Sequence, residues 1–463
     1  MKVIITTINA RFTHSSLALR YLRDSIETEW QGKPGRTVEL REYFISQKHL
    51  DILYDMVLAE PDVLLLSVYI WNSRLIENLL PDIHALLPDC ILVLGGPEVS
   101  YYPQKWFERF PFINAIVSGA GEEAVRYLSS IDFNIQGAFQ QTINMPVHDF
   151  SHVPFPYRDE DFINLENRYL YYESSRGCPF SCSYCLSSRE DNPLSLKNLT
   201  TTCAELDMLL KHKPMLIKFV DRSFNANPER ARGIWNYLML HHGTSGTRFH
   251  FEIHPLLLGE ADFKLLAKAP DGLFQFEIGV QSIHQRTLDA IHRPSDWQKT
   301  RSNIERLTVG NNIHIHLDLI VGLPFEGIKE IAESFDEIIS LKSGHFQLGF
   351  LKGLPGTELL AAFSDAKAHH NDMIFMHEAP YEIIRSRWLT ALELSELKNI
   401  STLVENITNT HRYDALMQAG AIRHGGHFPA YTHLLKFCEK TGFDIKTRNE
   451  EKVRKMLESW LGR

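Results

Sequence analysis

Short apolar runs alternate with one-faced helical patterns along the first 130 residues. Runs at 3–7, 38–43, 63–68 and 113–117 are each followed by a helical pattern, at 16–27, 50–59, 73–87 and 122–128, while a run at 91–94 precedes a turn. Continuous apolar strands separated by amphipathic helices predict a doubly wound parallel sheet, because a parallel strand is covered on both faces. Between 131 and 170 the pattern breaks. Pro146, Pro154 and Pro156, with acidic Asp159, Glu160 and Asp161, predict an irregular linker. A second strand–helix series then begins at 170–174, with further strands expected at 216–220, 248–253, 273–279, 313–321 and 347–351 and helices such as 228–240 and 328–341. Six such β/α units predict an open partial barrel of the TIM type, with its chemistry at the C-terminal strand ends. From about 365 the chain turns helical. Ile384, Trp388 and Leu392 recur four apart, with Ile383 and Leu389 widening the stripe, so 381–394 is predicted as an amphipathic helix facing a core. Further helices are expected at 397–408, 413–419, 431–441 and 451–461. The division is therefore 1–135, a nucleotide-type α/β domain; 136–168, a linker; 169–365, the barrel; and 366–463, a mostly helical domain.

Composition narrows the class. The 463 residues hold 44% hydrophobic and 23% charged side chains, which are globular values. The 48 basic and 57 acidic residues give a net charge of −9, so there is no clear nucleic-acid signal of the kind a basic excess or stripe would give. The apolar run at the N-terminus is too short for a signal peptide and no stretch of about 18 apolar residues occurs. A cytoplasmic protein with no membrane span is expected.

Candidate chemistry collects at strand ends. The first strand of the second series leads into Arg176-Gly177-Cys178-Pro179-Phe180-Ser181-Cys182-Ser183-Tyr184-Cys185, which holds three of the chain's six cysteines. Thiolates this close can converge on one metal centre, and iron–sulfur clusters prefer cysteine sulfur. Zinc is the competitor. A structural zinc site closes with four ligands, and no fourth cysteine or histidine follows Cys185 at short spacing; a three-ligand catalytic zinc usually draws on histidine or carboxylate as well. Disulfides fit poorly in so tight a loop. Cys90, Cys203 and Cys438 stand alone and read as small buried hydrophobes. In the first domain, the strand ends carry Asn9-Ala10-Arg11, Ser67-Val68-Tyr69-Ile70-Trp71, Gly95-Gly96-Pro97-Glu98 and Gly119-Ala120-Gly121-Glu122. Ligands of doubly wound sheets bind at such ends, where glycine lets a ligand approach the backbone.

The Cys-x-x-x-Cys-x-aromatic-Cys loop resembles the signature of the radical S-adenosylmethionine (SAM) enzymes, and a nucleotide-type domain ahead of it with Gly-Gly-Pro and Gly-x-Gly-Glu segments resembles the cobalamin-dependent branch of that family. The final segment resembles the uncharacterised C-terminal domain of one subgroup. The resemblance implies a 4Fe-4S cluster held by Cys178, Cys182 and Cys185, with one iron open to SAM. It implies SAM contacts at Tyr184, Asp221, Ser223, Gln281, Arg293, Gly322 and Leu323. Asp221 and Ser223 stand where many members have Gly-Gly-Glu. It implies cobalamin contacts at Asn9, Arg11, Ser67, Tyr69, Trp71, Gly95, Gly96, Glu98, Gly119, Gly121 and Glu122. Members that ligate cobalt from below with histidine carry Asp-x-His-x-x-Gly after the first strand. That motif is missing here, because Asp82-Ile83-His84 falls in a helical pattern; His14, on the corresponding loop, is the outside candidate. Arg222, His250, His254, His316, His345 and Gln347 are candidate substrate contacts, and Glu252 is left open between lining and function.

The activity implied is reductive cleavage of SAM to a 5′-deoxyadenosyl radical, followed by methylation of an unactivated carbon in a small-molecule substrate, with an external electron donor of flavodoxin or ferredoxin type. Cobalamin-dependent rearrangement or cyclisation without methyl transfer is one alternative, and a non-catalytic cobalamin or redox sensor another. A methylthiotransferase needs a second cluster in its N-terminal domain, where only Cys90 is available.

Overall fold

The computed structural model describes residues 1–135, 141–145, 149–188, 193–241, 246–364 and 372–462. The domain boundaries expected at 136 and 365–366, Pro146 and the last residue, 463, lie outside these. The N-terminal sheet contains β1 (Lys2–Asn9), β2 (Thr37–Phe44), β3 (Val63–Ser67), β4 (Ile91–Gly95), β5 (Ala115–Ser118) and β6 (Gln141–Asn144), in the order β2-β1-β3-β4-β5-β6. Every pairing is parallel. Alternate residues feed two cores. Ile4, Leu64, Leu66, Leu92 and Leu94 face one helical layer, and Val3, Ile5, Leu65, Val93 and Val117 face the other.

Strand β6 corrects the expectation of an irregular 131–170. Only Ile143 of its four residues is buried, so this edge strand has almost no apolar pattern to betray it; its backbone pairing with Ala115–Ser118 makes it a strand.

The second sheet runs in chain order through Leu170–Tyr172, Leu216–Phe219, Arg248–Glu252, Phe274–Gln281, His314–Val321 and His345–Phe350, all parallel. These are the six strands of the expected open barrel. In Phe274–Gln281 and His314–Val321 buried residues alternate strictly with partly exposed or exposed ones. Phe276, Ile278, Ile315, Leu317 and Leu319 join the core, while Glu277, His316 and Asp318 take the other phase and line the lumen.

The C-terminal segment departs from expectation at its start. Residues 381–394 are not one helix: Met373–Phe375 and Ile383–Ser386 form an antiparallel hairpin, and the helix begins only at Ala391. The four-residue spacing misleads because Ile384 and Leu392 are exposed (45% and 78%) while Ile383 and Leu389 are buried. The start signal lies at Thr390, whose hydroxyl accepts from the Glu393 amide while the Glu393 carboxylate accepts from the Thr390 amide. Helices Ala391–Asn406, Asp414–His424, His427–Thr441 and Glu450–Trp460 follow, as the periodicity predicts. No described helix is long and apolar enough to cross a membrane.

Candidate functional site between the two sheets

The cysteine loop is held from below. Asp221, at the end of the second barrel strand, is fully buried and accepts from the Ser174 amide (3.0 Å), the Ser174 hydroxyl (2.5 Å) and the Ser175 hydroxyl (2.6 Å). Its carboxylate thereby fixes the entry to the loop. Ser223 is brought there, its Oγ lying 3.7 Å from Cys178 Sγ. Burial raises the Cys182 thiol, Arg293 opposes this, and the charges of Cys185 and Cys178 add to it. The three sulfurs thus share one neighbourhood. Three thiols on one loop fit the corners of a multi-iron cluster, and the Ser187 amide, 3.4 Å from Cys185 Sγ, supplies a donor of the kind that tunes such sulfurs.

Around the thiols the predicted residues Tyr184, Gln281 and Arg293 come together. Arg293 donates to the Gly279 carbonyl and reaches Tyr184 Oη at 3.4 Å and Cys182 Sγ at 3.8 Å. Burial opposes its charge, but Tyr184 and Cys182 outweigh that and raise its pKa. Gln281 has a left-handed backbone (φ 69°) where the pairing register shifts after Gly279, and its buried Oε1 has no hydrogen-bond partner among the described residues. A buried amide oxygen without a donor suits a polar ligand such as a ribose hydroxyl. Gly322 adopts φ 95°, and a Cβ there would meet Ile383 at 2.8 Å. The Leu323 side chain is fully buried, which leaves only its main chain for a ligand.

The strand ends of the N-terminal sheet face this mouth. The Tyr69 and Trp71 rings stack with centroids 4.4 Å apart. Trp71 Nε1 donates to the Ile8 carbonyl at 3.2 Å, and buried Asn72 ties the same loop to Ile8 and Ser67. Asn72 closes the Ser67–Trp71 segment at the N-cap of the following helix without a side-chain cap bond. Gly96 has φ 104°, and a Cβ there would lie 2.5 Å from the Val68 carbonyl oxygen, so backbone passes backbone with room only for glycine. Gly95 and Gly119 stand at the ends of β4 and β5, the latter with φ 85°. Ser67, the last residue of β3, is buried, and Arg11 is exposed on the loop after β1. This glycine-lined edge flanked by stacked aromatics is a cradle a flat macrocycle fits.

Other predicted residues serve packing. Asn9 donates to Glu42 at 2.9 Å, and Gly121 packs on Leu22. Glu122 pairs with Arg176 at 2.8 Å, joining the N-terminal domain to the cysteine loop. Glu98, buried, accepts from the Tyr381 hydroxyl. His14 Nδ1 shares a hydrogen bond with Tyr171 of the first barrel strand. Burial, then Lys218 and Arg11, lower its pKa. His84 stacks on Phe112 at 4.3 Å, on the helix where it was expected. Of the isolated cysteines, Cys90 and Cys438 are buried and Cys203 is half-buried.

Within the barrel the lumen is polar. Burial pushes Asp318 up to about 8, with Glu277 and Glu252 adding to it. Burial likewise pushes Glu252 to about 7, against the pull of Arg222, although 34% of its side chain stays accessible. A carboxyl both accessible and desolvated lines an internal space. A hydrogen bond from His250, at 3.0 Å, keeps Glu277 low despite burial. His316 is pushed down to about 3 by burial and by the neighbouring His314, His345 and His250, so it is neutral. His345 lies 3.7 Å from Glu405, and Gln347 is exposed. His254 stacks on Phe180 of the cysteine loop with centroids 4.3 Å apart. Burial, then Arg293, push it down to about 4. Burial raises the Tyr69 hydroxyl, and Arg222 at the second barrel strand's end pulls it back, so the two strand-end edges lie within electrostatic reach of each other.

Comparison with known proteins follows the same division. Residues 3–129 match the B12 binding domain, residues 172–338 the radical SAM superfamily, and residues 369–462 a protein domain of unknown function, DUF4080. The cobalamin-dependent radical SAM methyltransferase TokK of Streptomyces tokunonensis is 23% identical over 337 residues, covering 64% of this chain and 48% of that protein. The chain thus spans about half the length of the curated relatives it matches. Among solved structures, the radical SAM methyltransferase TsrM from Kitasatospora setae, with cobalamin and a [4Fe-4S] cluster bound, superposes with TM-score 0.61 at 16% identity, covering 77% of this chain and 73% of that one. The cobalamin-dependent radical SAM enzyme OxsB, with aqua-cobalamin and SAM bound, gives 0.63 at 15% identity and covers 99% and 78%. At these identities the likeness is one of fold. The chain thus carries a B12 binding domain, a radical SAM domain and DUF4080 in that order, the domain set expected of a cobalamin-dependent radical SAM enzyme.

Proposed function

We propose that this chain is a cobalamin-dependent radical SAM methyltransferase that modifies an unactivated carbon of a polar small molecule. The observation that carries this is the facing of two strand-end edges: the cysteine loop opens from the barrel mouth onto the Gly95–Gly96 and Tyr69–Trp71 edge of the N-terminal sheet, with Tyr69 in electrostatic reach of Arg222. When bound, the cluster supplies the electron that cleaves SAM to a 5′-deoxyadenosyl radical and cobalamin supplies the methyl group. The chain's residues bind, orient and exclude water. Cys178, Cys182 and Cys185 hold the cluster on a loop fixed by Asp221. Ser223, Gln281, Arg293 and the Gly322–Leu323 main chain surround SAM, and the glycine edge carries the corrin. Glu252, Asp318, His250, His316, Lys218 and Arg222 form the substrate lining, whose polarity argues for a substrate with charged or hydrogen-bonding groups. The electron comes from an external flavodoxin- or ferredoxin-type donor.

The test is anaerobic reconstitution with iron, sulfide and hydroxocobalamin, followed by SAM under strong reductant with polar candidate substrates. S-Adenosylhomocysteine together with 5′-deoxyadenosine is expected. 5′-Deoxyadenosine alone would transfer the assignment to a radical rearrangement, and corrinoid binding without any SAM cleavage to a sensor.

A further inference from the structure

The domain of unknown function begins with the hairpin Met373–Phe375 and Ile383–Ser386, and this hairpin touches both cofactor domains. On the barrel side it extends the sheet at the mouth. Leu351 donates its amide to the Val321 carbonyl, Ile383 to the Leu351 carbonyl and Gly353 to the Tyr381 carbonyl, each at 2.9 Å. The buried Ile383 side chain then occupies the space above Gly322, in the segment assigned to SAM. On the other side the hairpin tip crosses to the N-terminal domain. Tyr381 takes a left-handed backbone (φ 54°) and donates its hydroxyl to Glu98, a carboxylate only 9% exposed that directly follows Gly95-Gly96-Pro97. Tyr101, three residues on, packs against Gly356 of the loop after the last barrel strand, where any Cβ would collide with the ring. A buried carboxylate needs a donor, and among the described residues the only side-chain donor given to Glu98 comes from a different domain. Burial raises the Glu98 carboxyl and the Tyr381 hydrogen bond pulls it back.

We propose that Tyr381 is a positioning residue acting through Glu98. The hairpin of the domain of unknown function clamps the Gly95–Glu98 loop against the barrel mouth and so fixes where a corrin stands relative to SAM. The clamp itself is a statement about this chain's own contacts; its consequence for methyl transfer rests on the function proposed above. The domain of unknown function thereby gains a role as the third wall of the site, one that neither cofactor domain can supply.

Tyr381→Phe keeps the ring and every backbone bond, so the fold is expected to persist, as an unchanged circular dichroism spectrum would show. Hydrogen exchange on the full chain without cofactors reads the clamp directly. Amides of residues 96–101 are expected to exchange about tenfold faster in Tyr381→Phe, the loss of a hydrogen bond to a charged group. Glu98→Gln, which keeps an acceptor for the hydroxyl, should retain more protection than Glu98→Ala. In the reconstituted protein, Tyr381→Phe should weaken hydroxocobalamin binding and lower the ratio of methylated product to 5′-deoxyadenosine while SAM cleavage continues. Unchanged exchange at 96–101 would overturn the clamp. Should the wild type bind no corrinoid, the proposed function fails and the exchange result still decides the clamp.

Discussion

Asp221 shows how one buried carboxylate can fix the entry to a loop. Its three donors all come from Ser174 and Ser175, the residues that lead into the cysteine loop. Asp221→Ala strands a buried amide and two hydroxyls at once, a loss of about 2–4 kcal/mol. A lowered melting temperature and reduced iron retention after reconstitution are expected, whereas Ser223→Ala should leave the melting temperature nearly unchanged. Asp318 has the opposite character, because burial and the neighbouring Glu277 and Glu252 outweigh the pull of Arg293. With a folded pKa of about 8 against an unfolded value near 3.8, the folded chain holds a proton that the unfolded chain releases, so stability falls as pH rises from about 4 to about 8. Asp318→Asn removes this proton uptake. Its denaturation midpoint relative to wild type should therefore improve from pH 5 to pH 8, by on the order of 1–2 kcal/mol once water in the lumen is allowed for. An equal difference at both values would show that Asp318 is ionised in the folded chain.

At the scale of elements, what periodicity carried and what it missed have separate physical causes. The four inner strands of the N-terminal sheet, β1, β3, β4 and β5, and the barrel strands feed buried cores, so their apolar runs stand out against polar neighbours. Strand β6 is an edge with one buried side chain, and an edge strand is made by backbone hydrogen bonds that leave no trace in side-chain pattern. The hairpin at 373–386 escapes the periodicity because the i, i+4 spacing of Ile384, Trp388 and Leu392 imitates a helix, whereas Thr390-x-x-Glu393 fixes the helix start nine residues past Tyr381. That cap is testable by itself. Thr390→Ala should destabilise helix Ala391–Asn406 by about 1 kcal/mol, seen as faster exchange in its first turn. The thiols were legible because their spacing is local. The bonds from Ser174 and Ser175 to Asp221 were not legible, because these partners lie 46 and 47 residues apart in sequence and no motif records a contact across two strands.

For the whole molecule, the question is what keeps a corrin-bearing sheet and a cluster-bearing barrel in register. The described contacts converge on Arg176, two residues before Cys178. Its guanidinium binds Glu173 on its own loop at 2.9 Å and Glu122 at the N-terminus of the N-terminal domain's last helix at 2.8 Å, and it lies over the Phe150 ring at 4.5 Å. All three charged side chains keep 21% or less of their surface exposed. Burial pushes Glu173 up, against the pull of Arg176. Removing the cation leaves two desolvated carboxylates facing each other, and breaking a buried pair in this way destabilises by about 3–5 kcal/mol. Arg176→Met, which keeps most of the apolar stem over Phe150, isolates the electrostatic part of that loss. Because the residue belongs to both domains, the loss should appear as a division of one unfolding transition into two, with the N-terminal domain and the barrel melting apart in calorimetry. Glu122→Gln keeps an acceptor for Arg176 and should leave a single transition. If Arg176→Met still melts as one unit, cohesion resides in the Ser15–Tyr169 and Thr13–Tyr169 bonds at 2.7 Å and the Arg23–Asp161 pair behind them, and the arginine at the head of the cysteine loop would serve its own loop alone.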